Sequence, residues 1–322
     1  MHVKIKNIEY FLPNNLEDNK LLSSENPDWN MDKIYSKTGI DKRYIAKEIN
    51  QTTTYMAVEA AKKIKNFNDL KVKIDAVICI TQTPEYHLPT SACVIQNKLG
   101  LKKECMAFDI NLGCSGFVYG LSIAASLIES NMINNCLLIC SEKYSTYIKN
   151  DDRTTRTLFS DGAAATFITK SKNKNFNDFI FGTDGSGFDK LIVPKKDREY
   201  KKNILCKDNL FMSGADIFTF TISTVPKLVN EILHRNQLNI NDIDVYIFHQ
   251  ASKLVLDTLA KNLKIPNEKI FNNYDKIGNT VSASIPIAMK DALDSNYIKK
   301  GNKIMLIGFG VGLSWGACVI DW

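Results

Sequence analysis

Short apolar segments alternate with amphipathic stretches along most of the chain. Continuous apolar runs at 76–80, 136–140 and 245–248 are typical of strands that are buried on both faces of a sheet. Residues 1–6 instead alternate apolar and charged side chains, as a strand with one exposed face does. Because helical patterns follow most of these runs, the sequence predicts an α/β protein in which helices cover layered sheets.

The two parts of the chain show a similar order of apolar runs and polar turns. The run at 76–80 leads to a polar turn that contains Gln82, and the run at 245–248 leads to a similar turn that contains Gln250. The run at 136–140 has its counterpart at 303–307. An offset of about 170 residues is far longer than a solenoid repeat. It predicts a duplicated α/β unit, with one half over 1–170 and the other over 171–322.

Cys114 lies where an apolar run, 106–108, gives way to small residues and then to an apolar helix. We expect it in the first turn of that helix. There the helix dipole and free backbone N–H groups would favour the thiolate, the form that attacks thioesters. The alternative is a small buried side chain, which is the common role of a free cysteine. The chemical interpretation therefore depends on partners elsewhere.

Two polar residues and one glycine-rich segment are candidate partners. His249 follows a predicted strand, the place where α/β enzymes carry site residues, although a structural histidine is the alternative. Asn279 lies in a turn before a helix, where a turn or capping asparagine would be the preferred interpretation without Cys114 and His249. We expect the segment 308–312 to form a glycine-rich loop after a strand. It lacks the spacing of a dinucleotide fingerprint, so we reject nucleotide binding. Its backbone N–H groups are suited to stabilising an oxyanion.

Composition narrows the class of protein. Of 322 residues, 44% are hydrophobic and 24% charged, which is ordinary for a globular enzyme, and no run approaches the roughly 20 apolar residues that span a bilayer. The N-terminal strand pattern lacks the apolar core of a signal peptide, so we expect a cytoplasmic protein without membrane partners. Eight cysteines without a CxxC pair predict neither a zinc site nor a disulfide framework.

The net charge of +6 comes from scattered lysines, with doublets at 195–196, 201–202 and 299–300. No basic stripe is interleaved with aromatic residues, so the sequence gives no support for nucleic-acid binding. A modest attraction to acidic or phosphorylated partners is compatible with this charge.

Taken together, the motifs resemble those of β-ketoacyl-acyl-carrier-protein synthase III, a family of the thiolase superfamily. The match runs from about Ile5 to the C-terminus. Its elements are a cysteine in a small-residue turn, then His-Gln-Ala, Gly-Asn-Thr-x-x-Ala-Ser-x-Pro and Gly-x-Gly-x-Gly-x-x-Trp-Gly. These motifs lie around Cys114, at 249–251, at 278–286 and at 308–316, and further matches lie at 38–43, 88–96, 159–163 and 212–214.

The resemblance implies a thiolase-like αβαβα fold of two duplicated halves. It implies that Cys114 takes an acyl group from a thioester and that a decarboxylating Claisen condensation with malonyl-acyl carrier protein follows. His249 and Asn279 would donate hydrogen bonds to the malonyl thioester, and the N–H groups of Cys114 and Val311 would form an oxyanion hole. It implies no metal or organic cofactor, acyl-CoA and acyl carrier protein as partners, and a homodimer in which Leu88 reaches the partner's tunnel.

The chain also departs from the resemblance where relatives bind CoA. Lys33 stands where CoA-priming members have a tryptophan, and Trp29 lies four residues earlier. Lys37 and Leu254 replace two arginines, and lysine lacks the bidentate geometry of arginine. In the same regions, Ser252 replaces an asparagine and Arg153 matches an arginine that faces adenine. We expect weaker CoA binding and a carrier protein as the acyl donor.

Two other functions stay open at this point. The same Cys-His-Asn set could transfer the acyl group to an alcohol or amine, with His249 as general base. A non-catalytic thiolase-fold subunit that binds a carrier protein or partner chain is the alternative from another class. Decarboxylation of malonyl thioester and acylation of Cys114 distinguish these functions.

Overall fold

The computed structural model describes residues 1–194 and 208–322. Cys206 and the lysine doublets at 195–196 and 201–202 therefore lie outside the described residues. The strands are β1 (Val3–Phe11), β2 (Asn15–Asp18), β3 (Lys42–Ile45), β4 (Ala76–Ile80), β5 (Met106–Ile110), β6 (Asn135–Glu142), β7 (Gly162–Lys170), β8 (Phe176–Thr183), β9 (Leu191–Ile192), β10 (Phe211–Met212), β11 (Val245–Phe248), β12 (Lys303–Gly310) and β13 (Ser314–Asp321). The α-helices are α1 (Asn19–Glu25), α2 (Met31–Thr38), α3 (Thr53–Lys62), α4 (Phe67–Lys71), α5 (Ser91–Leu99), α6 (Gly116–Glu129), α7 (Arg153–Arg156), α8 (Gly214–Arg235), α9 (Lys253–Leu263), α10 (Tyr274–Ile277) and α11 (Ser284–Asp294).

The first large sheet has the strand order β1-β7-β6-β4-β5. Strand β4 runs parallel to both β5 and β6, whereas β7 runs antiparallel to β6 and β1. All residues of β4 are buried, as expected for an apolar strand with parallel neighbours and helices on both faces. Strand β5 lies at the edge, and its residues are half-buried.

The second large sheet, β11-β12-β13-β8, repeats the order of β4-β6-β7-β1. Its directions repeat as well, because β11 is parallel to β12 and β13 is antiparallel to β12 and β8. Beside β11, where β5 would have its counterpart, the described residues show an isolated bridge between Tyr246 and Ile270. The chain passes from one sheet to the other between Lys170 and Phe176.

Helices separate and cover the two sheets. Helices α3 and α5 pack on the outer face of the first sheet, and α8 and α9 pack on the outer face of the second. Helices α6 and α11 lie between the sheets, and their apolar side chains join one continuous core with both. The buried residues of α6 include Val118 and Gly120, which are two positions apart and therefore lie on different sides of the helix, as a helix between two sheets requires. The αβαβα architecture is thus confirmed.

Within the described residues, no helix is both long and apolar enough to cross a membrane. The same residues contain no cluster of three or more histidine, cysteine or acidic side chains arranged to hold a metal ion. The seven described cysteines are free thiols, and Cys93 is exposed whereas the other six are buried.

Candidate active site

Cys114 lies in the turn that connects β5 to α6. The N–H of Gly116 donates to the carbonyl of Gly113 at 2.8 Å, which closes this turn. Helix α6 begins at Gly116 with Ser115 as its N-cap, so Cys114 precedes the helix. The expectation that Cys114 belongs to the first helical turn is therefore wrong by two residues. The small residues that suggested an early helix start form the turn instead.

The environment of Cys114 favours the neutral thiol. The residue is 5% exposed, and burial, with a smaller contribution from the charge of Glu142, raises the pKa of Cys114 to about 12. The backbone N–H groups of Cys114 and Val311 bond to the sulfur and lower this pKa, but they do not offset desolvation. Burial thus opposes the thiolate expected from the sequence, whereas the two N–H groups act in the expected direction and lie where an oxyanion hole would need them.

Strand β12 passes directly against the nucleophile. Gly308 to Gly310 belong to this strand, and the turn begins at Val311, so the glycine-rich segment is mostly strand rather than loop. A Cβ atom on Gly310 would lie 2.8 Å from the Cβ of Cys114 and 2.9 Å from its sulfur. No side chain fits in that space, which explains why glycine occupies the strand at this position.

His249 directly follows β11, and its N–H extends the sheet by donating to the carbonyl of Ile307 at 2.8 Å. Its Nδ1 lies 2.7 Å from Oγ of Ser284, at the start of α11. The ring of Phe309 packs edge-to-face against the imidazole at 5.6 Å. Burial lowers the pKa of His249 to about 3, so the ring is neutral at pH 7. The hydroxyl of Ser284 can donate to Nδ1, which leaves Nε2 free to carry the proton.

Asn279 lies between α10 and α11, and its main chain pairs with the segment before β7. Its N–H donates to the carbonyl of Leu158 at 2.9 Å, and its carbonyl accepts from Ser160 at 2.8 Å. The side-chain Oδ1 accepts from the N–H of Val281 at 2.9 Å. This bond directs Nδ2 toward Nε2 of His249, 3.3 Å away. The imidazole and the amide are therefore placed to donate to one shared oxygen.

A single cavity of about 460 Å³ has Cys114, His249 and Asn279 in its wall. Lys37 and Ser252 also line it. Leu254, which is 46% exposed, joins them in the lining.

The remaining residues of the sequence prediction lie elsewhere. Arg153 is exposed at the start of α7, and its neighbour Thr154 lines the cavity. Leu88 is 87% exposed in the loop between β4 and α5. Trp29 is 7% exposed and packs with Leu22, so it offers no free face on which an adenine could stack.

Sequence reasoning missed Glu142, the last residue of β6. Its carboxylate is completely buried and accepts hydrogen bonds from Gln82 N–H at 3.0 Å, Thr83 Oγ1 at 3.1 Å and Ser282 Oγ at 2.8 Å. Burial raises the pKa of Glu142 to about 8. The residue joins the loop after β4 to the segment that follows Asn279. A carboxylate at the end of an apolar strand was the available signal.

Two similar α/β halves that place a buried cysteine beside an imidazole and an amide define the class of thiolase-fold condensing enzymes. Comparison with known proteins narrows this class. Residues 108–185 match the profile of 3-oxoacyl-(acyl-carrier-protein) synthase III, and residues 233–322 match that of its C-terminal part. The chain belongs to the 3-oxoacyl-(acyl-carrier-protein) synthase III family.

Full-length relatives and solved structures agree with this assignment. The beta-ketoacyl-(acyl-carrier-protein) synthase III of Fusobacterium nucleatum is 37% identical over 99% of this chain and 98% of its own length. The Clostridium perfringens protein of the same name is 38% identical over 96% of each chain. A crystal structure of a 3-oxoacyl-(acyl-carrier-protein) synthase III matches with a TM-score of 0.93 at 36% identity over 100% of both chains. The Aquifex aeolicus enzyme matches with a TM-score of 0.91 at 34% identity over 99% of this chain and 100% of its own.

Proposed function

We propose that the protein takes an acyl group from a thioester onto Cys114 and condenses it with a malonyl group carried by acyl carrier protein. The observation that carries this proposal is the convergence of Cys114, His249 and Asn279 on one cavity, with two backbone N–H groups on the sulfur. The relatives named above are synthases, which favours condensation over simple transfer to an alcohol or amine.

In the first step, the sulfur of Cys114 attacks the thioester carbonyl. A new S–C bond forms, the bond to the donor's sulfur breaks, and the departing thiolate takes the proton that Cys114 loses. The N–H groups of Cys114 and Val311 bond to the developing oxyanion. Because the resting thiol is neutral, proton movement accompanies the attack instead of preceding it.

In the second step, the malonyl thioester loses carbon dioxide. The electron pair of the broken C–C bond moves into an enolate, whose oxygen accepts hydrogen bonds from Nε2–H of His249 and Nδ2–H of Asn279. The enolate carbon then attacks the acyl carbonyl on Cys114. The thiolate of Cys114 leaves and is reprotonated. The low pKa of His249 suits this role, because a neutral ring donates a hydrogen bond without giving up its proton.

Separate measurements of Cys114 acylation and malonyl decarboxylation distinguish the role of Cys114 from those of His249 and Asn279. Asn279→Asp keeps an oxygen for the N–H of Val281 but removes the Nδ2 donor, so decarboxylation of malonyl thioester should fall by about 10²–10³ while acylation of Cys114 changes far less. His249→Ala should behave in the same way, and His249→Gln, which retains an N–H donor, should recover part of the rate. Equal loss of both half-reactions would contradict hydrogen-bond donation and favour a general base.

We also propose that a carrier protein, rather than CoA, supplies the acyl group. Lys33 is exposed on α2, Lys37 lines the cavity, and Trp29 is buried, so an aromatic stack from Trp29 is absent. Base stacking contributes roughly 1–3 kcal/mol at other sites. The ratio kcat/KM for one acyl group should therefore be higher on carrier protein than on CoA. A clear preference for CoA would contradict this.

A homodimer and a cytoplasmic location complete the proposal. The half-buried strand β5 lies at an edge of the first sheet, where a second copy would extend it, and Leu88 is exposed in the loop after β4. The free thiols are compatible with a reducing compartment.

A further inference from the structure

We infer that the acyl group accepted by Cys114 carries a hydroxyl group within its first few carbons and that Gln82 recognises this hydroxyl. The inference deepens the proposed function and rests on it. It starts from a second cavity, of about 530 Å³, that is separate from the one lined by His249 and Asn279.

The second cavity borders residues that contact the nucleophile. Leu191 lines both cavities, and Val311, whose N–H bonds to the sulfur of Cys114, lines the second. Cys114 packs in one cluster with Leu191, Tyr144 and Val311. An acyl group bound to the sulfur can therefore extend into this space.

The amide of Gln82 lies next to the nucleophile. A Cβ atom on Gly113, the residue before Cys114, would be 2.5 Å from Oε1 of Gln82 and 2.7 Å from Cγ1 of Val311. Glycine at this position is what allows the glutamine side chain to lie against the catalytic turn. Gln82 thus lines the second cavity and also lies against the turn that carries Cys114.

The hydrogen bonds around Gln82 leave one of its side-chain groups, Nε2, without a protein partner. The hydroxyl of Tyr144 donates to Oε1 at 3.3 Å, and the hydroxyl of Tyr147 donates to the backbone carbonyl of Gln82 at 3.1 Å. Nε2 makes no hydrogen bond within the described residues. A purely apolar acyl chain would cover this donor without satisfying it, which is unfavourable. A hydroxyl oxygen on the acyl group accepts from it.

The test is a competition between butyryl and 3-hydroxybutyryl groups, with both enantiomers of the latter, presented in equal amounts on CoA and, separately, on carrier protein. Intact-protein mass spectrometry distinguishes the two acyl-enzymes, because they differ by one oxygen atom. The wild-type protein should form the hydroxyacyl-enzyme of one enantiomer about tenfold faster than the butyryl-enzyme.

Two variants locate the preference. In Gln82→Leu the ratio of the hydroxyacylation rate to the butyrylation rate should fall to about one, since the Nε2 donor is gone. In Tyr147→Phe, which removes a hydroxyl from the same cavity but leaves the Gln82 amide intact, the preference should persist.

The outcomes separate the two proposals. Equal or faster butyrylation of the wild-type protein overturns this inference and leaves the proposed function standing. A preference for the hydroxyacyl group that persists in Gln82→Leu also overturns this inference. Failure of every acyl group to label Cys114 on either carrier would overturn both proposals.

Discussion

At the scale of single residues, burial determines the protonation of the candidate site. Cys114 and His249 are both almost completely buried, and desolvation disfavours the charged form of each. The result is a neutral thiol and a neutral imidazole at pH 7. A neutral pair suits a reaction in which negative charge develops on substrate oxygens and needs donors rather than preformed ions.

The raised pKa of Cys114 predicts how the thiol reacts with iodoacetamide. Because the thiolate is the reactive form, alkylation of Cys114 should keep rising from pH 7 to pH 10 without a plateau. Mass spectrometry of peptides separates this label from that on Cys93, which is exposed. The buried Cys79, Cys136 and Cys140 should resist labelling, and Cys114→Ser should form no acyl-enzyme. A plateau near pH 8 would contradict the raised pKa.

The lowered pKa of His249 predicts a loss of stability in mild acid. Its pKa falls from the ordinary 6.5 to about 3 in the folded protein. Between these values the unfolded chain binds a proton that the folded protein does not, so the free energy of unfolding decreases as the pH falls below 6.5. From pH 7 to pH 5 this contribution is about 2 kcal/mol. Urea unfolding of wild type and His249→Gln at both pH values should show a smaller decrease in the variant.

At the scale of elements, the turn between β5 and α6 is crowded from two sides. Strand β12 approaches Cys114 through Gly310, and the loop after β4 approaches Gly113 through Gln82. Each approach requires a position without a side chain. The turn therefore depends on glycines that are far apart in the sequence, among them Gly113 and Gly310.

Gly113→Ala tests this crowding. The new methyl group must displace Gln82 or Val311, so we expect a loss of roughly 1–3 kcal/mol in the free energy of unfolding. Acylation of Cys114 should slow as well, because the N–H of Val311 bonds to its sulfur. Gly185→Ala is the matched control, since a Cβ there meets no atom within 4 Å. Equal stability of the two variants in denaturant titrations would contradict the close approach.

The sequence predicted elements better than contacts. Apolar runs identified strands such as β4, β6 and β11, because buried parallel strands need continuous apolar residues. The same reasoning misplaced the start of α6 and treated Gly308 to Gly310 as a loop. Glycine weakens the hydrophobic pattern of a helix and that of a strand equally, so the pattern did not identify the element at these positions. Glu142 and the second cavity went unnoticed, because both depend on segments that meet only in the folded chain.

At the scale of the whole molecule, the first sheet ends in a strand that has no counterpart in the second among residues 1–194 and 208–322. Strand β5 leads directly into the turn of Cys114 and is half-buried at the sheet edge. If two copies join at this edge, assembly and catalysis involve the same strand. The loop that carries Leu88 lies after β4, the neighbour of β5.

The proposed contact at this edge predicts the oligomeric state of the protein and the length of the acyl group that it accepts. Light scattering at micromolar concentration should give twice the chain mass, and a monomer would contradict the proposed dimer.

Leu88→Phe should shorten the longest acyl group accepted, because a larger side chain from the partner would occupy part of the tunnel. Acylation by a series of chain lengths measures this effect, and Ile49→Phe, at another exposed position, is a control that should leave the series unchanged.

The hydrogen bonds of Glu142 have a consequence for how the two halves of the chain depend on each other. The two halves retain the same strand order, yet one carboxylate from the first half is bonded to Gln82 and Thr83 in that half and to Ser282 in the other. The nucleophile comes from one copy and the hydrogen-bond donors from the other. The two halves are therefore complementary, and neither half alone contains a complete candidate site.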